Sequence, residues 1–151
     1  MTQPTDIRSV ATELVQLLGP TDWALGGSFL LQCYGIEPQA RDLDLVCTPE
    51  RFESFKALLS QYARVLPVSL HPIYRSKGFS RFDKNGVVIE LMAGIQVLKD
   101  DGVQGFVFLP EKTSWQQGLP LMQLADWLEL YQLFERPKRV KQLQQYLGSD
   151  R

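Results

Sequence analysis

Asp42 and Asp44 stand one residue apart in "ARDLDLVC", residues 40–47, a run whose other members are mostly apolar. Read as a strand, the run sends both carboxylates to one face and Leu43 and Leu45 to the other. Two ionised carboxylates held this close raise each other's pKa and cost free energy until something neutralises them. A divalent cation such as Mg²⁺ or Mn²⁺, which takes oxygen ligands, is one remedy. The other reading is an edge strand whose solvated acids guard it against aggregation.

A third acid bears on that choice. Glu90 in "VVIELMAG", residues 87–94, is the one charge in an otherwise apolar strand, with Val87, Ile89 and Leu91 alternating to the opposite side. If its strand lies beside that of the aspartates, Asp42, Asp44 and Glu90 converge as a two-metal phosphoryl or nucleotidyl transfer site requires. Glu90 also has two basic candidates for a plain ion pair, Arg41 and Arg81.

Upstream, "ALGGSFLL", residues 24–31, runs a short apolar strand through Gly26 and Gly27 into a helix starting at Ser28. Backbone amides and a hydroxyl at a helix N-terminus suit a phosphate, and glycines allow close backbone approach. No lysine follows as in a P-loop, and GxGxxG is absent. A tight strand-to-helix turn with no ligand has the same signature.

Alternating patterns of two periods position these residues. Ile7, Val10, Leu14, Leu17 and Leu18 predict an amphipathic first helix, capped by Thr5 or Asp6 and stopped by Gly19 and Pro20. "DWAL" and "LDLVC" predict strands around a short helix over "SFLLQCY". Thr48 is placed to cap a third helix with Pro49 in its first turn and Phe52, Phe55, Leu58, Leu59 and Tyr62 buried. From residue 63 the pattern turns to strands: "RVLPVSLHPIYR", which contains the lone His71, then "GFSRF", an Asn85-Gly86 hairpin turn and "VVIELM". "GFVFL" at 105–109 predicts an edge strand. Two helices then close the chain, one from Leu121 to Phe134 and one starting near Pro137. Arg136, Lys138, Arg139 and Lys141 crowd the start of the last helix, where positive charge opposes the macrodipole unless an anion lies nearby.

The 151 residues, 44% of them hydrophobic, suit one domain over residues 1–151, with a core at about 22–110 and closing helices at about 120–147. A net charge of -1 excludes a global field for nucleic acid or an anionic membrane, so any phosphate binding is local. Cys33 and Cys47 lack CxxC spacing, and with His71 they make no standard zinc pattern. No stretch reaches the roughly 18 apolar residues of a membrane span and no leader pattern opens the chain, so the expectation is a cytoplasmic protein without a membrane partner.

Taken together, "LGGSFLLQCYG", "RDLDLV" and "VVIELMAG" resemble the polymerase-beta-like nucleotidyltransferase superfamily, and the small single-domain members of the abortive-infection toxin type in particular. The likeness covers roughly residues 22–147 and includes "LADWLELYQLFERPKRVKQLQQYL", similar to the family's closing helix pair, though Arg139 stands where that family has Asp and Tyr131 where lysine is common. It implies an α/β (α+β) fold, a mixed twisted sheet flanked by helices with a C-terminal helix pair. It further implies Mg²⁺ or Mn²⁺ held by Asp42, Asp44 and Glu90, and a nucleoside triphosphate bound by Gly26, Gly27, Ser28, Arg41 and Lys138. The implied reaction moves a nucleoside monophosphate to a small molecule, a protein or an RNA end. Two other readings stand beside it: a degenerate nucleotide- or partner-binding member, such as half of a toxin and antitoxin pair, and an interaction domain whose acids form only salt bridges. The acceptor, the choice of nucleotide and the oligomeric state are not encoded in these motifs.

Overall fold

A computed structural model of the chain describes residues 6–69 and 76–149; Thr5 and His71 lie outside the described residues. The chain opens with α1 (Ile7–Leu18), whose N-cap Asp6 accepts a hydrogen bond from the Arg8 amide at 3.2 Å and which buries Val10, Ala11, Leu14 and Leu18. Then come β1 (Trp23–Gly26), α2 (Gly27–Cys33), β2 (Asp42–Cys47), a 3-10 turn at Pro49–Arg51 and α3 (Phe52–Tyr62). Strands β3 (Arg64–Leu66), β4 (Gly78–Lys84), β5 (Val87–Ala93), β6 (Gln96–Lys99), β7 (Gly102–Gly105), β8 (Ser114–Gln116) and β9 (Leu119–Leu121) precede α4 (Leu124–Leu133) and α5 (Pro137–Ser149).

Seven of these strands form one sheet in the order β3-β4-β5-β2-β1-β9-β8, while β6 and β7 make a separate hairpin. The sheet is mixed. The pairs β2 with β5 and β1 with β9 are parallel, and the remaining neighbours are antiparallel. Asn85 and Gly86 both have positive φ and close the two-residue turn joining β4 to β5, as the Asn-Gly signal requires. The architecture is the α+β arrangement expected, with the two closing helices in place.

Alternation along the central strands separates a core side from a polar side. Leu43, Leu45, Ile89, Leu91 and Phe82 are fully buried, and α1 and α3 contact the sheet. Asp42, Asp44, Val88, Glu90, Arg81 and Asp83 are half-buried and alternate with them. One-residue slippage of β2 would drive both aspartates into the hydrocarbon core, so register here is strongly fixed.

Four local expectations are corrected. Thr48 makes no side-chain cap; its backbone carbonyl accepts from Arg51 at 3.1 Å in the 3-10 turn, and its buried Oγ1 has no partner. Residues 106–109 are not a strand: the Phe106 amide donates to the Ile95 carbonyl at 3.0 Å, after which the chain leaves the hairpin and Val107 is 77% exposed. Leu121 belongs to β9 rather than to a helix, because Gln117 and Gly118, both at positive φ, turn β8 back into β9. Within the described part of 63–75, only Arg64–Leu66 is strand.

The core side of β2 carries the site's placement, and Leu43 is 0% exposed. Leu43→Ala should cost about 2–5 kcal/mol, read as a lower urea midpoint with an unchanged slope. A loss below about 1 kcal/mol would show that this side of β2 is not packed as described.

Candidate functional site

Backbone register builds a single row across five strands. Leu66 on β3 faces Arg81 on β4, Arg81 faces Glu90 on β5, Glu90 faces Asp44 on β2, and Asp44 faces Gly26 on β1. Directly registered residues share a face of a sheet. Two carboxylates therefore stand side by side, with a guanidinium on one flank and a residue without a side chain on the other. Asp42 joins them from two positions along β2, on the same face.

Electrostatics follow from this crowding. The Asp44 carboxyl is pushed well above its ordinary range, first by burial, then by the negative charge of Glu90 and a hydrogen bond to it, then by Asp42, while Arg136 pulls it back. Burial also raises Asp42, against the opposing charges of Arg81 and Arg41. Glu90 is ion-paired with Arg81 at 3.3 Å, the pairing that sequence reasoning set beside the metal reading. Arg81 Nε is buried and, although within ion-pair distance, has no aligned hydrogen bond; Asp44 Oδ1 is likewise buried without a partner.

The glycine turn is shaped by what presses on it. A Cβ at Gly26 would lie 1.8 Å from Trp127 Nε1, and one at Gly27 would lie 1.9 Å from Asp44 Oδ2. Gly27 also has φ +62 and is the first residue of α2, one position before the expected start at Ser28. The described neighbours thus explain both glycines: one makes room for an indole of α4, the other for a carboxylate. The Ser28 hydroxyl accepts the Arg41 amide at 3.1 Å, tying the start of α2 to the start of β2.

Three residues of the C-terminal helices reach this neighbourhood. Tyr131 is 8% exposed, stacks edge-on against Trp127 with ring centroids 5.4 Å apart, and feels the charges of Asp44, Arg136 and Arg139. Burial is the main cause that lifts its phenol to about 12, so it is neutral near pH 7. Arg136 lies in the corner between α4 and α5, close enough for its charge to act on Asp44. Arg139 is held by Glu37 at 2.7 Å and by Gln142 at 3.1 Å. Lys138 is exposed, with no hydrogen bond or ion pair to the described residues, and Arg41 is exposed with its charge near Asp42 and Glu37. Sequence reasoning singled out Lys138 and set Arg136 with it in the basic cluster at the start of the last helix, and it gave Trp127 no role.

The donor atoms available to a metal are carboxylate oxygens, the kind that Mg²⁺ or Mn²⁺ takes. Asp44 Oδ1 is an oxygen left without a hydrogen bond. No group of three His, Cys, Asp or Glu among the described residues is placed to hold a metal ion, and Glu90 is shared between Arg81 and Asp44. The residues fit a divalent cation in donor chemistry, and one Glu90 oxygen, Oε2, is engaged by Arg81.

Neither a family model nor a curated protein matches the sequence. Solved structures do. An inferred nucleotidyltransferase of Thermotoga maritima superposes with a TM-score of 0.70 at 19% identity, over 99% of this chain and 96% of its own. The aminoglycoside nucleotidyltransferase ANT(2″)-Ia, solved with adenylyl-2″-tobramycin, superposes with a TM-score of 0.54 at 11% identity, over 95% of this chain and 89% of its own.

Two outcomes follow from the geometry. Gly27→Ala adds a methyl where Asp44 already lies and forces alanine to a positive φ, so it should lower stability by about 1–3 kcal/mol or more in a denaturant titration. An unchanged midpoint would refute the close approach of Asp44. The second concerns pH. A carboxyl raised in the folded state keeps its proton after the unfolded chain has lost it, so wild-type stability falls as pH climbs from the ordinary value of 3.8 toward the folded value. Asp44→Asn removes that loss. In EDTA the variant should gain melting temperature over wild type as pH rises from about 4 to 7, at about 2–4 °C per kcal/mol; a constant difference across that range would contradict the raised pKa.

Proposed function

We propose, from the premise that this chain has the polymerase-beta-like nucleotidyltransferase fold, that it transfers a nucleoside monophosphate from a nucleoside triphosphate to an acceptor hydroxyl. The observation carrying this reading is the register that sets Asp44 beside Glu90, with Asp42 on the same face. Such a concentration of negative charge, with a buried unpartnered oxygen, is a poor structural device and a good cation cradle.

Asp42, Asp44 and Glu90 are the residues that would hold Mg²⁺ or Mn²⁺. When bound, the ion would neutralise the triphosphate and stabilise the charge that develops as the leaving group departs. Ser28 accepts the Arg41 amide and so keeps its hydroxyl proton available for a phosphate oxygen. The first amides of α2, at Gly27 and Ser28, lack partners within the helix and point the same way. Arg136 and Arg41 supply positive charge at the rim, beside the Lys138 that the resemblance implies. In the step itself the acceptor oxygen bonds to the α-phosphorus, the bond from that phosphorus to the β-phosphate bridging oxygen breaks, pyrophosphate leaves, and Glu90 takes the acceptor's proton. The product held by ANT(2″)-Ia, an adenylylated small molecule, supports a small-molecule acceptor as the first class to try beside protein and RNA ends.

A second reading has its own observation. Arg81 already neutralises Glu90, as expected of a chain that binds a nucleotide or a partner protein without turnover. The two separate cleanly in a pyrophosphate-release assay with each nucleoside triphosphate, Mg²⁺ and a panel of hydroxyl acceptors. Under the transfer reading release needs Mg²⁺, and Asp42→Asn and Asp44→Asn each lower it about 100-fold or more, the scale of losing one group that stabilises transition-state charge. Nucleotide binding by calorimetry without any release would leave only the second reading.

A further inference from the structure

Arg81 sits where the charge balance of the site is decided. It is registered directly across from Glu90 on the neighbouring antiparallel strand, 3.3 Å from Oε2. Its charge also reaches Asp42, so it serves two of the three carboxylates from one side. The side chain is more than half-buried, and its Nε, shielded from solvent, makes no aligned hydrogen bond. A guanidinium held by charge but not by directional bonds is a counter-ion that can be exchanged. Glu90 is drawn to Arg81 on one side and bonded to Asp44 on the other, and no three acids are gathered on a common point among the described residues.

Resting on the metal-binding reading above, we infer that Arg81 is the site's built-in counter-ion: it stabilises the metal-free form by holding Glu90 and competes with a divalent cation for that carboxylate. Cation binding and the Arg81–Glu90 contact are then mutually exclusive. By linkage, whatever the contact contributes to the metal-free fold is subtracted from metal affinity. Arg81 is a positioning residue in this scheme, setting which way Glu90 faces.

The test uses the full chain and Mn²⁺ alone, without nucleotide, with binding read by electron paramagnetic resonance of the free ion. Arg81→Gln should bind Mn²⁺ about tenfold more tightly than wild type, the scale of removing one nearby like charge. In EDTA its melting temperature should drop by about 2–4 °C. Arg64→Gln, which loses a β3 ion pair with Asp83 on the same sheet, should leave Mn²⁺ affinity unchanged. Equal or weaker Mn²⁺ binding by Arg81→Gln overturns the inference and leaves the transfer reading standing. Binding by Arg81→Gln but not by wild type upholds the inference and overturns the transfer reading. Absence of binding in both overturns both. Should Arg81→Gln fail to fold, side-chain NMR of the wild-type chain decides: Mg²⁺ should speed solvent exchange of the Arg81 Nε proton as Glu90 leaves, and unchanged exchange overturns the inference.

Discussion

The pairing of β2 with β5 brings two acids into contact at the centre of the sheet, and much of the surrounding structure answers that repulsion. Parallel strands buried on their core side hold together through Leu43, Leu45, Ile89 and Leu91. That apolar attachment keeps Asp44 and Glu90 side by side although their charges push them apart. Compensation arrives from two directions: Arg81 from the next strand, Arg136 from the corner of the last two helices. Neither neutralises Asp44 completely, since its carboxyl is still raised above its ordinary range.

The C-terminal helices are structural parts of the site. Trp127 lies against the bare backbone of Gly26, its indole donating to Met122 Sδ at 3.0 Å. Gln142 on α5 bonds Glu37 at 2.7 Å and the Ile36 carbonyl at 3.3 Å, and Arg139 holds the same Glu37. These contacts brace the helix pair against the loop that leads from α2 to Arg41, the residue whose amide meets Ser28. The same contacts tie α5 to the entrance of the aspartate strand.

Sequence carried the central sheet well because its signals are local and periodic. The alternation of Asp42 and Asp44 with leucines gives their shared face, and Asn85-Gly86 gives the β4 to β5 turn. What it did not carry was partner choice. "GFVFL" has strand propensity but leaves its partner strand after Gly105, whereas "GLPL", interrupted by Pro120, becomes β9 because Leu25 pairs with Leu121. The Thr48 cap failed for the same kind of reason, since a 3-10 turn met its backbone needs first. At the site, the acids were readable from their types and spacing. The reason for the two glycines was not, because it lies in Trp127 of α4 and in the side-chain direction of Asp44. Arg81 was legible as one of two candidate partners of Glu90, and only cross-strand register selects it over Arg41.

The distance along the chain between Gly26 and Trp127 has a consequence for the order in which the molecule is made. In chain order the glycine turn and both aspartates come first, Glu90 next, and β9 and the indole after them. Until that last stretch is available, β1 lacks one of its two neighbours and the turn lacks its outer wall. Contacts this remote in sequence form late and slowly. The outer wall of the glycine turn is therefore supplied after the acids it stands beside.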